Sequence, residues 1–166
     1  MRSLVFVVMG LVVMATVPMT VSLAGGQPHS VTGSGIVVQD DGVAFRSDVG
    51  AVKQANGRTS GTTVTDLDLS AVVPELGTVR FKSDVTCLAV DGNSAWVGGN
   101  ITTTSNPDVA PLGTPIIIFV KDVGGNGEDI QYGAFVDGDE CAVGTTCEDE
   151  PFLPQLHVVS GNYTVR

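Results

Sequence analysis

The sequence predicts an all-β protein, a single antiparallel β-barrel or β-sandwich of about eight strands. Apolar and polar residues alternate with a period of two through most of the chain beyond residue 30, and no ten-residue window there has a helical apolar stripe. Glycine and proline punctuate these runs, as at Gly57, Gly61, Pro74, Gly77, Pro107, Pro111 and Gly113, which spaces the turns regularly. Aromatic residues make up 5% of the 166 residues, which suits a small core of valine, isoleucine and leucine. Consecutive hairpins with short turns favour an up-and-down barrel over a sandwich.

The first element is a targeting segment rather than a strand. Arg2 is the sole charge before Asp40, and the apolar run Leu4–Val17 follows it. Pro18 interrupts that run, and the small residues Ser22 and Ala24 stand two apart, as at a signal-peptide cleavage site. Residues 1–24 are therefore expected to be a secretory signal removed after Ala24, with 25–166 forming one domain. An uncleaved membrane anchor is the alternative, because Leu4–Ala24 is just long enough to span a bilayer. Gly26 stands where lipoprotein processing would need a cysteine.

Strands follow in order. Val31–Val38 opens the domain, with His29 expected in the tail ahead of it. Val43, Phe45, Ser47, Val49 and Ala51 alternate with polar neighbours, as do Thr63, Thr65, Leu67 and Leu69. The clearest alternation runs from Val79 to Val90, turns at Asp91-Gly92-Asn93, and returns through Ala95, Val97, Gly99 and Ile101, so 79–104 reads as one long hairpin. This alternation places Cys87 on the inward face. Ile116–Val120 is a continuous β-branched and aromatic run, as in a strand buried on both faces. Ile130–Val136 alternates again, and Leu156–Val165 closes the chain.

The hairpin carries a family resemblance. Val85-Thr86-Cys87-Leu88-Ala89-Val90-Asp91-Gly92-Asn93-Ser94-Ala95 is similar to the V-x-C-L-x-V-x-G-N-x-A motif of the bacterial secreted post-COAP domain. Val31-Thr32-Gly33-Ser34-Gly35, Phe119-Val120-Lys121-Asp122 and Gly161-Asn162-Tyr163-Thr164-Val165 resemble its opening, its F-x-V-x-D strand and its terminal strand. The chain departs from the family at Val123–Asn126 and in the cysteine-bearing insertion 141–147. The resemblance implies extracellular β-structure and brings no catalytic residue with it.

Composition narrows the partners. Eight basic residues against 18 acidic ones give a net charge of −10, which disfavours nucleic acid and anionic membrane surfaces. An unidentified extracellular protein or glycan is the expected partner, and no stable membrane span is expected after signal cleavage.

Candidate sites are few. Cys141 and Cys147 enclose five residues of a polar loop, and in an oxidising compartment they are expected to close a small disulfide ring of about 2 kcal/mol. Cys87 is then left over as a small core hydrophobe. A Cys87 nucleophile with His157 as base is disfavoured, because a mid-strand core thiol lacks electropositive surroundings. Ser34 lacks the glycines two residues either side that a nucleophile elbow requires.

Asp137, Asp139, Glu140, Glu148, Asp149 and Glu150 crowd carboxylates into one loop. Such oxygen donors suit a weak Ca²⁺ site, the one cofactor the chain suggests, although the glycine of an EF-hand loop is missing. A second oxygen cluster would come from Asp122, Asn126, Glu128 and Asp129. The plainer expectation for both is solvated charge. Trp96 lies on the face opposite Ala95 and Val97, where an exposed indole would bind a sugar or a partner; cover by a neighbouring loop is the favoured alternative. Asn100-Ile101-Thr102 and Asn162-Tyr163-Thr164 match the N-glycosylation pattern.

Taken together these features predict a secreted, non-catalytic β-domain with a structural or binding role. A small-molecule carrier ranks second, since a barrel with Ser47, Ala51, Ser83, Ala89 and Gly99 turned inward would have room for a ligand. A hydrolase ranks third.

Overall fold

The computed structural model describes residues 27–124, 128–135 and 156–166. The described chain forms one antiparallel sheet of nine strands: β1 (His29–Val38), β2 (Ala44–Lys53), β3 (Thr59–Asp68), β4 (Thr78–Asp91), β5 (Ser94–Thr104), β6 (Pro115–Lys121), β7 (Ile130–Phe135), β8 (Leu156–His157) and β9 (Ser160–Val165). Their order is β8-β7-β6-β5-β4-β3-β2-β1-β9, an up-and-down meander in which the last strand returns to pair with the first. The sheet curls into a half-barrel, and its concave face holds the main core.

Alternation builds that core as the sequence predicts. Phe45, Val49 and Ala51 from β2, Val79, Phe81 and Val85 from β4, Ala95, Val97 and Ile101 from β5, and Ile116, Ile118 and Val120 from β6 all turn inward. Buried hydroxyls lie among them: Ser47 pairs with Thr65 at 3.3 Å, and Thr63 with Ser83 at 2.5 Å. Each hydroxyl has a cross-strand partner, which offsets the cost of removing it from water.

Three expectations change. His29 begins β1, paired with Lys53, rather than lying in a tail. The closing segment is two strands on opposite edges of the sheet, because Val158–Val159 carries the chain between them: β8 pairs with β7, and β9 pairs with β1. The amide of Val158 donates to the Asp129 carbonyl (2.8 Å) and that of Val159 to the Ile36 carbonyl (2.8 Å), so this short crossing is held from both sides.

The third change is in β4. Val85 pairs with Gly99 and Cys87 with Gly98, leaving Thr86 as the extra residue of a β-bulge. Beyond the bulge the faces exchange, so Leu88 and Val90 join the core while Cys87 and Ala89 turn outward. Cys87 is therefore not an inward core residue. Nor is it a free thiol, because its sulfur is engaged in a bond.

Tyr163 on β9 joins the two sides of the curl. Its ring lies over Gly33 and Gly35 of β1, where any Cβ would collide with it. Its hydroxyl, buried with the ring, donates to the Ser47 carbonyl of β2 (3.0 Å) and also meets the Gln131 side-chain oxygen of β7. Burial, reinforced by the nearby charges of Asp48 and Asp129, pushes its ionisation well above the usual tyrosine range.

The folded chain thus keeps this proton where the unfolded chain, with an ordinary tyrosine value near 10, loses it. The corresponding stability is whole below about pH 10 and drains away as pH rises beyond it. Tyr132, the other of the two tyrosines, is also raised by burial. Tyrosinate absorbance, followed alongside far-UV circular dichroism, should appear together with loss of the β-signal; ionisation of both tyrosines near pH 10 in a still-folded chain would contradict this.

Candidate functional site

The strands place three connections at one end of the half-barrel: 39–43 between β1 and β2, 69–77 between β3 and β4, and 105–114 between β5 and β6. Side-chain oxygens brace all three. Asp41 accepts from the Val43 amide (3.0 Å), Asp68 from the Ser70 amide (3.0 Å) and hydroxyl (2.5 Å), and Asn106 from the Asp108 amide (3.0 Å). The Ser70 hydroxyl, with its amide, holds the Asp68 carboxyl below its ordinary value. Gly113 donates to the Ile101 carbonyl (2.8 Å) and Ala110 is fully buried, so the 105–114 loop is anchored while Leu112 projects from it.

Apolar side chains gather at this end. Val38, Val72, Val73, Leu112 and Phe135 are five of the eight large apolar residues exposed among the described residues, with Leu112 at 63%. A cavity of about 100 Å³ is walled by Phe45, Leu67, Phe81, Ile116 and the same Phe135, and residues Ser47 and Thr65 also line it. The Phe81 and Phe135 rings meet at 5.6 Å between centroids. Asp40, Asp41, Asp68, Glu75 and Asp108 lie in or directly beside these three connections, which contain no lysine or arginine. This end is therefore an apolar patch in an acidic rim, carried on braced loops. Sequence reading missed it, because Val72, Val73 and Leu112 look like incidental loop residues until the meander collects them.

The predicted site residues fall elsewhere. Trp96 is not an exposed platform: it is 8% exposed, packs its ring 5.2 Å from that of Phe119, and has no acceptor for its indole N–H among the described residues. The acidic residues Asp137, Asp139, Glu140, Glu148, Asp149 and Glu150, and the expected Cys141–Cys147 ring, lie outside the described residues. Among the described residues no group of three or more histidine, cysteine or acidic side chains could hold a metal ion.

Asp129, assigned to a second oxygen cluster, is instead buried, and its carboxylate accepts from the Val123 (3.0 Å) and Tyr163 (2.6 Å) amides. Asp122 accepts from the Val165 amide at 3.4 Å. Both carboxylates brace backbone amides of the described chain. His157 is exposed, with its Nδ1 3.9 Å from Glu128. Of the inward positions offered for a carrier, Ser47, Ala51 and Ser83 are buried, whereas Ala89 faces outward.

No protein-family model, curated protein or solved structure matches the chain.

Proposed function

We propose that this chain is an exported, non-catalytic recognition module that works at or outside the cell surface. On this reading residues 1–24 direct export, the post-COAP-like motifs mark the domain type, and the half-barrel acts as a closed β-barrel in solution. The loop end is the contact surface, and its partner is a protein whose apolar centre is flanked by lysine and arginine. The observation that carries this is the apolar patch inside an acidic rim.

Such a surface provides desolvated apolar contact at the centre and electrostatic steering at the edge, which is how specific protein contacts are commonly divided. The small cavity argues against the carrier alternative. Ligand pockets usually measure about 300–1,000 Å³, against about 100 Å³ for the cavity among the described residues.

The test is paired capture of surface and secreted proteins on the wild-type chain and on Val73→Asp/Leu112→Asp. Both replaced residues are exposed, so the fold should tolerate the change. The expected result is a partner held by the wild type, released by salt, and lost with the variant. Equal retention by both baits would sink the assignment.

A further inference from the structure

The charges of the chain divide by position along the strands. Among the described basic residues, Arg46, Arg80 and Lys82 lie on the outer face of β2–β4, each beside an acidic neighbour. Arg46 meets Asp48 at 3.2 Å, Arg80 meets Asp66 at 3.4 Å and Lys82 meets Asp84 at 3.9 Å. The others, Lys53, Arg58, Lys121 and Arg166, stand at the end of the half-barrel opposite the loop patch, where β2, β6 and β9 finish. Among the described residues none of them makes an ion pair.

Basic charge at this end gathers around one exposed valine. No aspartate or glutamate occurs from Val49 to Thr65. Val52 is 42% exposed, with Lys53 next to it and Arg58 in the turn that follows. Backbone pairing sets Ser30 between Val52 and Arg166, so Arg166 flanks the same valine from the other side. The acidic residues at this end, Asp91, Asp122, Glu128 and Asp129, belong to or adjoin the β4–β5 and β6–β7 turns. Asp122 and Asp129 hold backbone amides, and Glu128 stands beside His157.

A ten-residue strand such as β2 rises about 33 Å, several times the roughly 8 Å over which charges are felt at physiological salt. The two ends therefore act as separate poles, one acidic around Val72, Val73 and Leu112, the other basic around Val52.

We propose that the partner of the loop end is a second copy of this chain, docked head to tail: the acid-rimmed apolar end of one copy seats on the Val52, Lys53, Arg58 and Arg166 end of the next. This rests on the loop end being a contact surface and names its occupant. Patch-to-patch pairing would set Asp40, Asp41, Asp68, Glu75 and Asp108 against their own duplicates, with no lysine or arginine in the three connections to separate them. Like charges brought together in this way oppose association. A head-to-tail contact is heterologous, so every added copy leaves one acidic and one basic end open. The assembly then grows as a chain unless its rotation closes it into a ring.

Sedimentation of the exported chain over a range of concentrations tests this. The mean mass should climb past that of a dimer and fall back in high salt. Lys53→Glu/Arg58→Glu removes the basic end, and Val73→Asp/Leu112→Asp removes the apolar one. Either variant alone should associate at least about tenfold more weakly. A mixture of the two should form a one-to-one complex and stop there, since it holds only one intact end of each kind. Should the charge-reversed chain lack the β-signal, Lys53→Gln/Arg58→Gln should weaken association in the same direction.

A wild-type chain that stays monomeric, or one whose association is untouched by the Lys53 and Arg58 replacements, overturns the inference. Capture of a different protein by a chain that does not self-associate, lost with Val73→Asp/Leu112→Asp and kept with Lys53→Glu/Arg58→Glu, overturns it too and leaves the loop-end reading standing. Absence of both capture and self-association overturns both.

Discussion

Tyr163→Ala should cost about 4 kcal/mol, the range seen when a buried aromatic is cut back to a methyl group. Tyr163 is 1% exposed and touches strands from both sides of the curl, so neighbours cannot collapse into the space without pulling β1, β2 and β7 out of register. The loss should lower the melting temperature by roughly 10–20 °C. Tyr163→Phe separates the ring from the hydroxyl. It keeps the packing over Gly33 and Gly35 but strips Gln131 of its hydrogen-bonded partner, and the Gln131 amide nitrogen already lacks an acceptor among the described residues. About 1–3 kcal/mol is expected for that change. Urea unfolding of both variants measures the two parts, and equal losses would mean that the hydroxyl, not the ring, holds the sheet edges together.

Gly161→Ala should also be strongly damaging, at about 3 kcal/mol or more, because two penalties coincide. Gly161 has φ of +115°, a backbone region that alanine enters only under strain, and a Cβ there would run into the Ser34 carbonyl oxygen and come within 2.8 Å of Gly35 Cα. Those atoms are backbone of the partner strand and have no rotamer by which to move aside. β9 would have to leave β1, taking Tyr163 with it. Gly50→Ala is the internal control, since its nearest atom is 4.0 Å away and its φ is not positive. Hydrogen exchange should show lost protection along β1 and β9 in Gly161→Ala and little change in Gly50→Ala. Retained β9 protection in Gly161→Ala would refute the backbone collision.

What could be read in advance follows from how far each signal travels along the chain. Period-two alternation is local, so β1 to β7 lie close to where Val31, Phe45, Thr65, Phe81, Val97, Ile118 and Tyr132 place them. The continuous Ile116–Val120 run also forecast correctly a strand buried on both faces. The bulge at Thr86 has no comparable signature. A single unpaired residue reverses every later side chain in the strand, and this is why Cys87 was assigned to the wrong face. The crossing at Val158–Val159 was invisible for a different reason. It depends on Asp129 and Ile36 lying on either side of the crossing segment, which only the curl of the whole sheet brings about. The loop-end patch is likewise a product of topology, because its five apolar residues span positions 38 to 135 and share no local pattern.

The pairing of the first described strand with the last also sets how the domain bears load. Ser30 and Arg166 exchange backbone hydrogen bonds of 2.8 and 2.9 Å, and antiparallel pairing continues inward from Val31–Val165 to Ile36–Ser160. Tension applied between residues 29 and 166 would pull these strands apart like a zipper, one rung at a time, rather than sliding them past each other with all rungs loaded together. Resistance would be low until the opening fork reached Tyr163, whose hydroxyl reaches past β1 to β2 and β7. A force trace should therefore rise at that residue and fall once it has let go.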